Sequence, residues 1–160
     1  MGGRFLAILA GIAVLAMVAG GCGGDEEAGG ETTVTKAQFI KQADALCVKA
    51  NKRFGREFKA FAKENQQKQP GKSVRAEGIE VGEEIFVPNA ESRAEALAEL
   101  PPPSGEEDRI AAILEAIEEG VEKAEENPAS LYSRTNYPFA RANQLQQDYG
   151  FRFCGAGIAE

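Results

Sequence analysis

The stretch that decides the fold is TKAQFIKQADALCVKANKRFGREFKAF, residues 35–61. Its apolar side chains recur every three or four positions, which is the period of an α-helix with one buried face. Thr35 and Gln38 form a capping-box pattern at the start of this stretch. The sequence therefore predicts a long amphipathic helix over residues 36–66. Its apolar face contains Phe39, Ala43, Leu46, Cys47, Ala50, Phe54, Phe58 and Phe61.

A second helical stretch follows, and it contains a proline. Residues 73–100 carry apolar side chains at helical spacing but are interrupted by Pro88. A proline inside a helix removes one backbone hydrogen bond, so we expect a kink or a split near Phe86. The run Pro101–Pro103 then predicts a stiff connector to the next element.

The third predicted helix has the clearest pattern. Ser104 and Glu107 form a second capping box, and Asn127–Pro128 marks the end of the helix. The apolar stripe between these limits consists of Ile110, Ile113, Leu114, Ile117, Val121 and Ala124.

A short fourth helix is predicted near the end of the chain. Pro138 suits its first turn and Gly150 its end. Only residues 151–154 could form a strand, and no internal repeat is present. Four amphipathic helices with short connectors indicate an all-α fold, a four-helix antiparallel bundle with one kinked or split helix.

Residues 1–21 have the pattern of a secretory leader. Arg4 precedes an apolar run over residues 5–19, which is the length of a signal-peptide core and short for a membrane span. The small residues Ala19-Gly20-Gly21 then precede Cys22. This ending resembles the lipobox of bacterial lipoproteins, although leucine is more usual at the position of Ala19. The resemblance implies cleavage before Cys22 and attachment of lipid to its sulfur.

The segment after the leader suits a tether. Residues 22–34 are rich in glycine and acidic residues and contain almost nothing to bury, so we expect a flexible stalk. The predicted bundle domain occupies residues 35–160. The competing interpretation is an uncleaved signal anchor in which Cys22 has no role.

Cys47 and Cys154 are the two cysteines that remain if Cys22 carries lipid. A secretory leader places them in an oxidising compartment, where they are expected to form a disulfide that staples the bundle. Closing a loop of this length contributes up to ~4.7 kcal/mol in the chain-entropy model. A redox-active or metal-binding thiol pair is the alternative, but these residues lack the close Cys-x-x-Cys spacing that lowers a thiol pKa.

Composition narrows the classes of function. The chain has 160 residues, a net charge of -7 and neither His nor Trp, and its two Met residues lie in the predicted leader. Nucleic-acid binding is disfavoured by the acidic charge. Without His, the usual general base and most catalytic zinc and haem sites are missing, so we expect no enzyme, no cofactor and no metal site.

Charge is distributed unevenly along the chain. Residues 36–63 of the first predicted helix have eight basic and two acidic residues, whereas residues 64–126 have seventeen acidic and six basic residues. The two faces could simply attract each other weakly across the bundle. Alternatively, the basic face could meet an anionic partner such as lipid headgroups or wall phosphates. That face contains Lys41, Lys49, Lys52, Arg56, Lys59 and Lys63.

A row of glutamates follows one face of the third predicted helix. Carboxylate clusters can bind calcium or act as an acid and base pair on sugars. No calcium-loop spacing accompanies the row, and a straight row of charges is typical of a solvent-exposed face. The row consists of Glu115, Glu118, Glu119, Glu122 and Glu126.

The mature chain also resembles uncharacterised small helical lipoproteins of high-GC Gram-positive bacteria. The resemblance is carried by five segments and implies an anchor, a bundle and a disulfide, but no activity. These segments are Gly-Gly-Cys22-Gly-Gly, Ala43-Asp44-Ala45-Leu46-Cys47, Leu100-Pro101-Pro102-Pro103, residues 108–120, and Asp148-Tyr149-Gly150 with Cys154-Gly155.

The function that these patterns favour is a non-enzymatic lipoprotein of the cell envelope. It would sit on the extracytoplasmic face of a bacterial membrane through Cys22 and act as a binding or structural module. Its partners would be the membrane and an envelope protein or anionic surface. The alternative is a small-ligand or lipid-binding protein in which Phe54, Phe58 and Phe61 line an apolar slot between helices.

Overall fold

The structure, a computed structural model, describes residues 34–68 and 71–155, and within these ranges it is helical without strands. Residues 151–154 do not form the strand that their sequence allowed, and residues 152–155 form bends. The predicted leader, Cys22 and nearly all of the predicted tether lie outside the described residues. The elements are α1 Lys36–Lys68, α2 Val74–Val81, a π-helical turn Gly82–Phe86, α3 Val87–Ala98, α4 Glu107–Glu126, a 3₁₀ turn Pro128–Tyr132 and α5 Ala140–Tyr149.

Helices α2 and α3 form one bent helix, because the π-helical turn joins them without a break. The backbone N–H of Val87 donates to the carbonyl of Gly82, five residues back, immediately before Pro88. Pro88 has no backbone N–H and cannot donate the next hydrogen bond. The hydrogen-bonded turn before it contains one residue more than an α-helical turn. The predicted kink near Phe86 is thus confirmed, and so is the four-helix antiparallel bundle with one bent helix.

The two predicted capping boxes have different outcomes. At α1 the Thr35 hydroxyl accepts from the backbone N–H of Gln38 at 3.3 Å, and the Gln38 side chain accepts from the backbone N–H of Thr35 at 2.9 Å. At α4 the prediction is wrong, because the residue that precedes the helix is Glu106 and no side chain caps it. Ser104 lies too early, in a turn closed by a hydrogen bond from Glu106 N–H to the Pro103 carbonyl.

The last helix begins two residues later than its proline suggested. Pro138 and Phe139 form a turn, and α5 starts at Ala140. Its end was predicted correctly, since Gly150 terminates the helix with a left-handed φ of 113°.

The core is centred on α4. Its apolar stripe is buried against Phe39 of α1, the bent helix, and the aromatic residues Phe139, Tyr149 and Phe151. Gly120 brings the Phe139 ring close to the α4 backbone, because a Cβ at this position would lie 2.6 Å from a ring carbon. The fully or nearly fully buried α4 residues are Ile110, Ile113, Ala116, Ile117, Gly120, Val121 and Ala124.

The apolar face of α1 is buried only in its first half. Phe39, Ala43 and Cys47 are buried, whereas Phe54 and Phe61 are half-buried and Phe58 is 44% exposed. Length explains this departure from the predicted buried face. Helix α1 has 33 residues and α4 has 20, which correspond to about 50 and about 30 Å. The second half of α1 therefore extends beyond the core that covers the first half.

The predicted disulfide joins the last described residues to α1. Cys47 and Cys154 are bonded, with their Cα atoms 5.1 Å apart, and each is 1% exposed. A second link lies beside it, where the Asp44 carboxylate accepts the backbone N–H groups of Arg152 and Phe153 at 2.9 and 3.0 Å. The predicted Cys47–Cys154 disulfide is therefore confirmed. Among the described helices, none combines the length and apolar character of a membrane span.

Candidate ligand-binding grooves

The uncovered half of α1 forms one wall of a wide apolar groove. The opposite walls come from the bend of the α2–α3 helix and from the 3₁₀ turn, and the space between them is about 620 Å³. We call this space the aromatic groove. Its lining residues are Asn51, Phe54, Gly55, Phe58, Lys59, Val81, Phe86, Leu131, Tyr132 and Tyr137.

Aromatic contacts position the side chains of this groove. Phe54 stacks on Phe58 with ring centroids 6.2 Å apart and meets Phe86 edge-on at 6.1 Å. Phe86 in turn contacts the buried Phe139 at 5.4 Å. This series of ring contacts connects the exposed Phe58 to the core. The aromatic side chains that line the groove are therefore held in position by packing.

Tyr132 holds in place the wall of the aromatic groove that the 3₁₀ turn forms. Its hydroxyl donates to the Gly78 carbonyl at 2.7 Å. Gly78 makes this approach possible, because a Cβ there would lie 2.9 Å from the tyrosine ring. The turn is thereby attached to α2, although 61% of the Tyr132 surface remains exposed.

A small polar chamber adjoins the aromatic groove and shares lining residues with it. Its space of about 40 Å³ is lined by Asn51, Asn89, Arg93, Tyr137 and Asn143, and by the rings that it shares with the groove. One water needs roughly 10–15 Å³ by this kind of measure, so the chamber has room for a few water molecules or the polar end of a ligand. Burial raises the pKa of the Tyr137 phenol, and the charge of Arg93 offsets part of this effect.

A third space lies on the other side of Arg93, between α1 and α3. We call it the cationic groove. It measures about 170 Å³, and its polar lining consists of Lys49, Arg53, Arg56, Ser92 and Arg93. Arg53 donates to the Ser92 hydroxyl at 3.3 Å, and its Nε lies 3.8 Å from the Glu57 carboxylate. The lining contains no acidic residue.

The predicted site residues are only partly brought together. Phe54 and Phe58 line the aromatic groove, but Phe61 does not. Of the predicted basic face, Lys49 and Arg56 line the cationic groove and Lys59 the aromatic groove. Cys47 and Cys154 are in the disulfide, and Cys22 lies outside the described residues.

Sequence analysis missed Arg93 and both groove tyrosines. Arg93 is a single base between Glu91 and Glu95 in an acidic stretch, and this isolation was a usable signal. Tyr132 and Tyr137 lie in a segment that the sequence predicts to be a loop, so they are not part of the apolar face of any predicted helix. Their positions could have pointed to a binding surface, but not to its location.

The glutamate row is on a solvent-exposed face. Glu115, Glu118, Glu122 and Glu126 are exposed, whereas Glu119 is half-buried and binds Arg141 at 2.8 Å and Lys123 at 3.5 Å. The hydrogen bond from Arg141 holds the pKa of the Glu119 carboxyl below its usual range. Across residues 34–68 and 71–155, no three His, Cys, Asp or Glu residues are grouped as metal ligands.

Comparison of the chain with family models, curated proteins and solved structures finds no match.

Proposed function

We propose that this chain is a non-enzymatic binding protein of the bacterial cell envelope that holds a small apolar ligand in its aromatic groove. Lipid on Cys22 would keep it on the extracytoplasmic face of the membrane. The observation that carries the proposal is the aromatic groove itself. Its volume of about 620 Å³ is within the range of roughly 300–1,000 Å³ that is typical of small-ligand sites.

The composition of the groove favours a ligand over water. Phe58 and Tyr132, which line the groove, are 44% and 61% exposed. Apolar surface in water costs roughly 25 cal/mol per Å², so an apolar ligand that covers these rings would bind favourably. Asn51 and Tyr137 line both the groove and the polar chamber, and their amide and phenol groups could orient a polar group of the ligand.

The chemistry of the three lined spaces supports binding rather than catalysis. Neither the aromatic groove, the polar chamber nor the cationic groove has an Asp or Glu among its lining residues. The chain contains no His, and both described cysteines are in the disulfide. Carboxylate, imidazole and free thiol groups, which could serve as general bases or nucleophiles, are thus missing from the linings of these three spaces.

The location rests on the sequence, with one structural observation in support. The lipobox-like ending at Cys22 is the reason to expect lipid. The disulfide between Cys47 and Cys154 is consistent with an oxidising compartment outside the cytoplasm. Several acyl chains, at roughly 0.8 kcal/mol for each buried CH₂, would give a stable anchor.

Dye binding tests the groove. The neutral apolar dye N-phenyl-1-naphthylamine is suitable, because the chain has no Trp to interfere with its fluorescence. We expect saturable binding that Phe58→Ser weakens about tenfold or more, since a buried Phe side chain contributes ~1.5–3 kcal/mol. Phe153→Ser is the matched control, because Phe153 is 49% exposed and lies outside the groove. Equal affinities for both variants, or no saturable binding by the unmodified chain, would contradict the proposal.

Metabolic labelling tests the anchor separately. Radiolabelled palmitate should enter the protein in the cell, and Cys22→Ala should abolish both labelling and membrane retention. An unlabelled protein, or a Cys22→Ala variant that is processed and retained as before, would show that the anchor is wrong and leave the groove to be judged by the dye.

A further inference from the structure

The guanidinium of Arg93 has an unusual environment. Its Nε is shielded from solvent and has no hydrogen-bond partner among the described residues. Within the same residues, no carboxylate lies within 4.0 Å of the Arg93 guanidinium. Burial accordingly lowers the pKa of Arg93 from its usual value. Shielded charged donors are nearly always paired, so the Nε of this half-buried residue calls for an acceptor that the described chain does not supply.

The charged residues around Arg93 indicate that this acceptor is an anion. The cationic groove brings together Arg93 with Lys49, Arg53 and Arg56. Arg53 repeats the feature of Arg93, since its Nε is also shielded and has no hydrogen bond, with only the Glu57 carboxylate at 3.8 Å. Four cations that line one groove repel one another unless an anion lies among them.

The other charged groups near the groove do not neutralise it. Glu57 is paired with Arg53 alone among the lining cations, and its side chain is 48% exposed. On α3, Glu91 and Glu95 are exposed and are not among the lining residues. The side of α3 that faces α1 presents Ser92, Arg93 and Ala96. The groove is therefore positive at its base as well as at its rim.

We propose that the cationic groove binds a phosphate group, with Arg93 at its base, Arg53 and Ser92 at its side, and Lys49 and Arg56 at its rim. A phosphate presents several acceptor oxygens, and the planar forks of two arginines match this geometry. The space of about 170 Å³ exceeds the size of a chloride ion or a single water. The site is separate from the aromatic groove and does not depend on the function proposed above.

The phosphate could belong to a soluble phosphate compound or to the headgroup of a lipid. Both sources present the same oxygens to the arginines, so the site chemistry is shared. A chain that is tethered to a membrane would meet anionic headgroups at high effective concentration. The experiment therefore needs one arm for each source.

Calorimetric titration with inorganic phosphate and co-sedimentation with vesicles are the two arms. Vesicles of phosphatidylglycerol mixed with phosphatidylcholine are compared with phosphatidylcholine alone, and both arms use protein without lipid on Cys22. We expect saturable binding in at least one arm, weakened about tenfold or more by Arg93→Gln, because hydrogen bonds to charged groups are strong. Binding in the calorimetric arm assigns a soluble phosphate, and binding to anionic vesicles alone assigns a headgroup.

Lys63→Gln is the control variant. Lys63 is exposed on α1, has the same charge and does not line the cationic groove. If binding is only general attraction to a basic helix, the Lys63 and Arg93 variants will lose affinity equally, and the proposal is wrong. It is also wrong if neither probe binds. Should Arg93→Gln fail to fold by circular dichroism, Arg56→Gln at the exposed rim takes its place, with the same expected loss relative to Lys63→Gln.

Discussion

Two glycines inside helices have opposite packing requirements. A Cβ at Gly120 would lie 2.6 Å from a carbon of the Phe139 ring, whereas a Cβ at Gly55 would have nothing within 4 Å. Gly120 is therefore needed for close packing of α4 against Phe139. Gly55, on the uncovered half of α1, only reduces the stability of its helix.

Alanine substitution at these two positions should change stability in opposite directions. We expect Gly120→Ala to destabilise the fold by about 1–3 kcal/mol, because the Phe139 ring must move. Gly55→Ala should stabilise it by about 0.5–1 kcal/mol by lowering the entropy of the unfolded chain. Urea unfolding followed by circular dichroism measures both free energies. A Gly120→Ala variant as stable as the parent would mean that Phe139 does not lie against α4 as described.

The buried phenol of Tyr137 predicts a pH dependence. Its pKa is raised by burial, while in the unfolded chain a tyrosine ionises near pH 10. The folded state therefore favours the neutral phenol. The resulting stability is fully present below about pH 10 and is lost as pH rises through the folded pKa.

Tyr137→Phe should make the alkaline loss of stability less steep. The comparison is the free energy of unfolding in urea between pH 8.5 and 10.5, measured for both proteins. Tyr132 and Tyr149 titrate in both proteins and cancel in the difference. Parallel curves for the two proteins would show that Tyr137 is not held in a dry environment.

At the scale of elements, the spacing of apolar residues predicted more of the structure than the capping-box patterns did. The spacing of apolar residues located all four helices, and Pro88 located the bend, because both depend on local backbone geometry. Ser104 failed as a cap because Gly105, with a φ of 80°, turns the chain so that the helix starts at Glu107. The sequence pattern cannot distinguish this turn from a capping box.

Which part of an apolar face becomes buried is decided by neighbouring elements. The α1 pattern continues unchanged from Phe39 to Phe61, yet only the first half is buried in the core. The aromatic groove is a consequence of this mismatch in length. For the same reason, the presence of Phe54, Tyr132 and Tyr137 in one groove, and the shielded Nε of Arg93, could not be predicted from local spacing.

Removal of the two predicted caps should give different results. Thr35→Ala should destabilise the protein by about 1 kcal/mol, because the N–H of Gln38 loses its acceptor. Ser104→Ala should stay within about 0.5 kcal/mol of the parent, since its hydroxyl does not cap α4. Thermal unfolding of both variants is the measurement. Equal losses for the two substitutions would restore Ser104 as a cap and contradict the observed start of α4.

At the scale of the whole molecule, the disulfide connects the two ends of the bundle domain. It closes a loop of 107 residues between α1 and the segment after α5. Removing such a bond from a small domain costs about 2–5 kcal/mol. The backbone hydrogen bonds to Asp44 hold the same segment and would remain when the disulfide is removed.

The double variant Cys47→Ala/Cys154→Ala should therefore remain folded but be less stable by about 2–5 kcal/mol. Its helix content should equal that of the parent at room temperature, and its unfolding midpoint in urea should fall. Asp44→Ala in the same background should lower the midpoint further, because two backbone donors lose their acceptor. A double variant with unchanged stability would contradict the role assigned to the bond.

At the scale of the whole molecule, the central claim is that the aromatic groove is open because it binds a ligand. Native mass spectrometry of the protein purified from the cells that naturally produce it tests this most directly. The predicted spectrum shows the chain with the added mass of a non-covalent small molecule, and Phe58→Ser loses that mass whereas Phe153→Ser retains it. A clean ligand-free mass for the unmodified protein, under conditions that preserve the fold, would contradict the account.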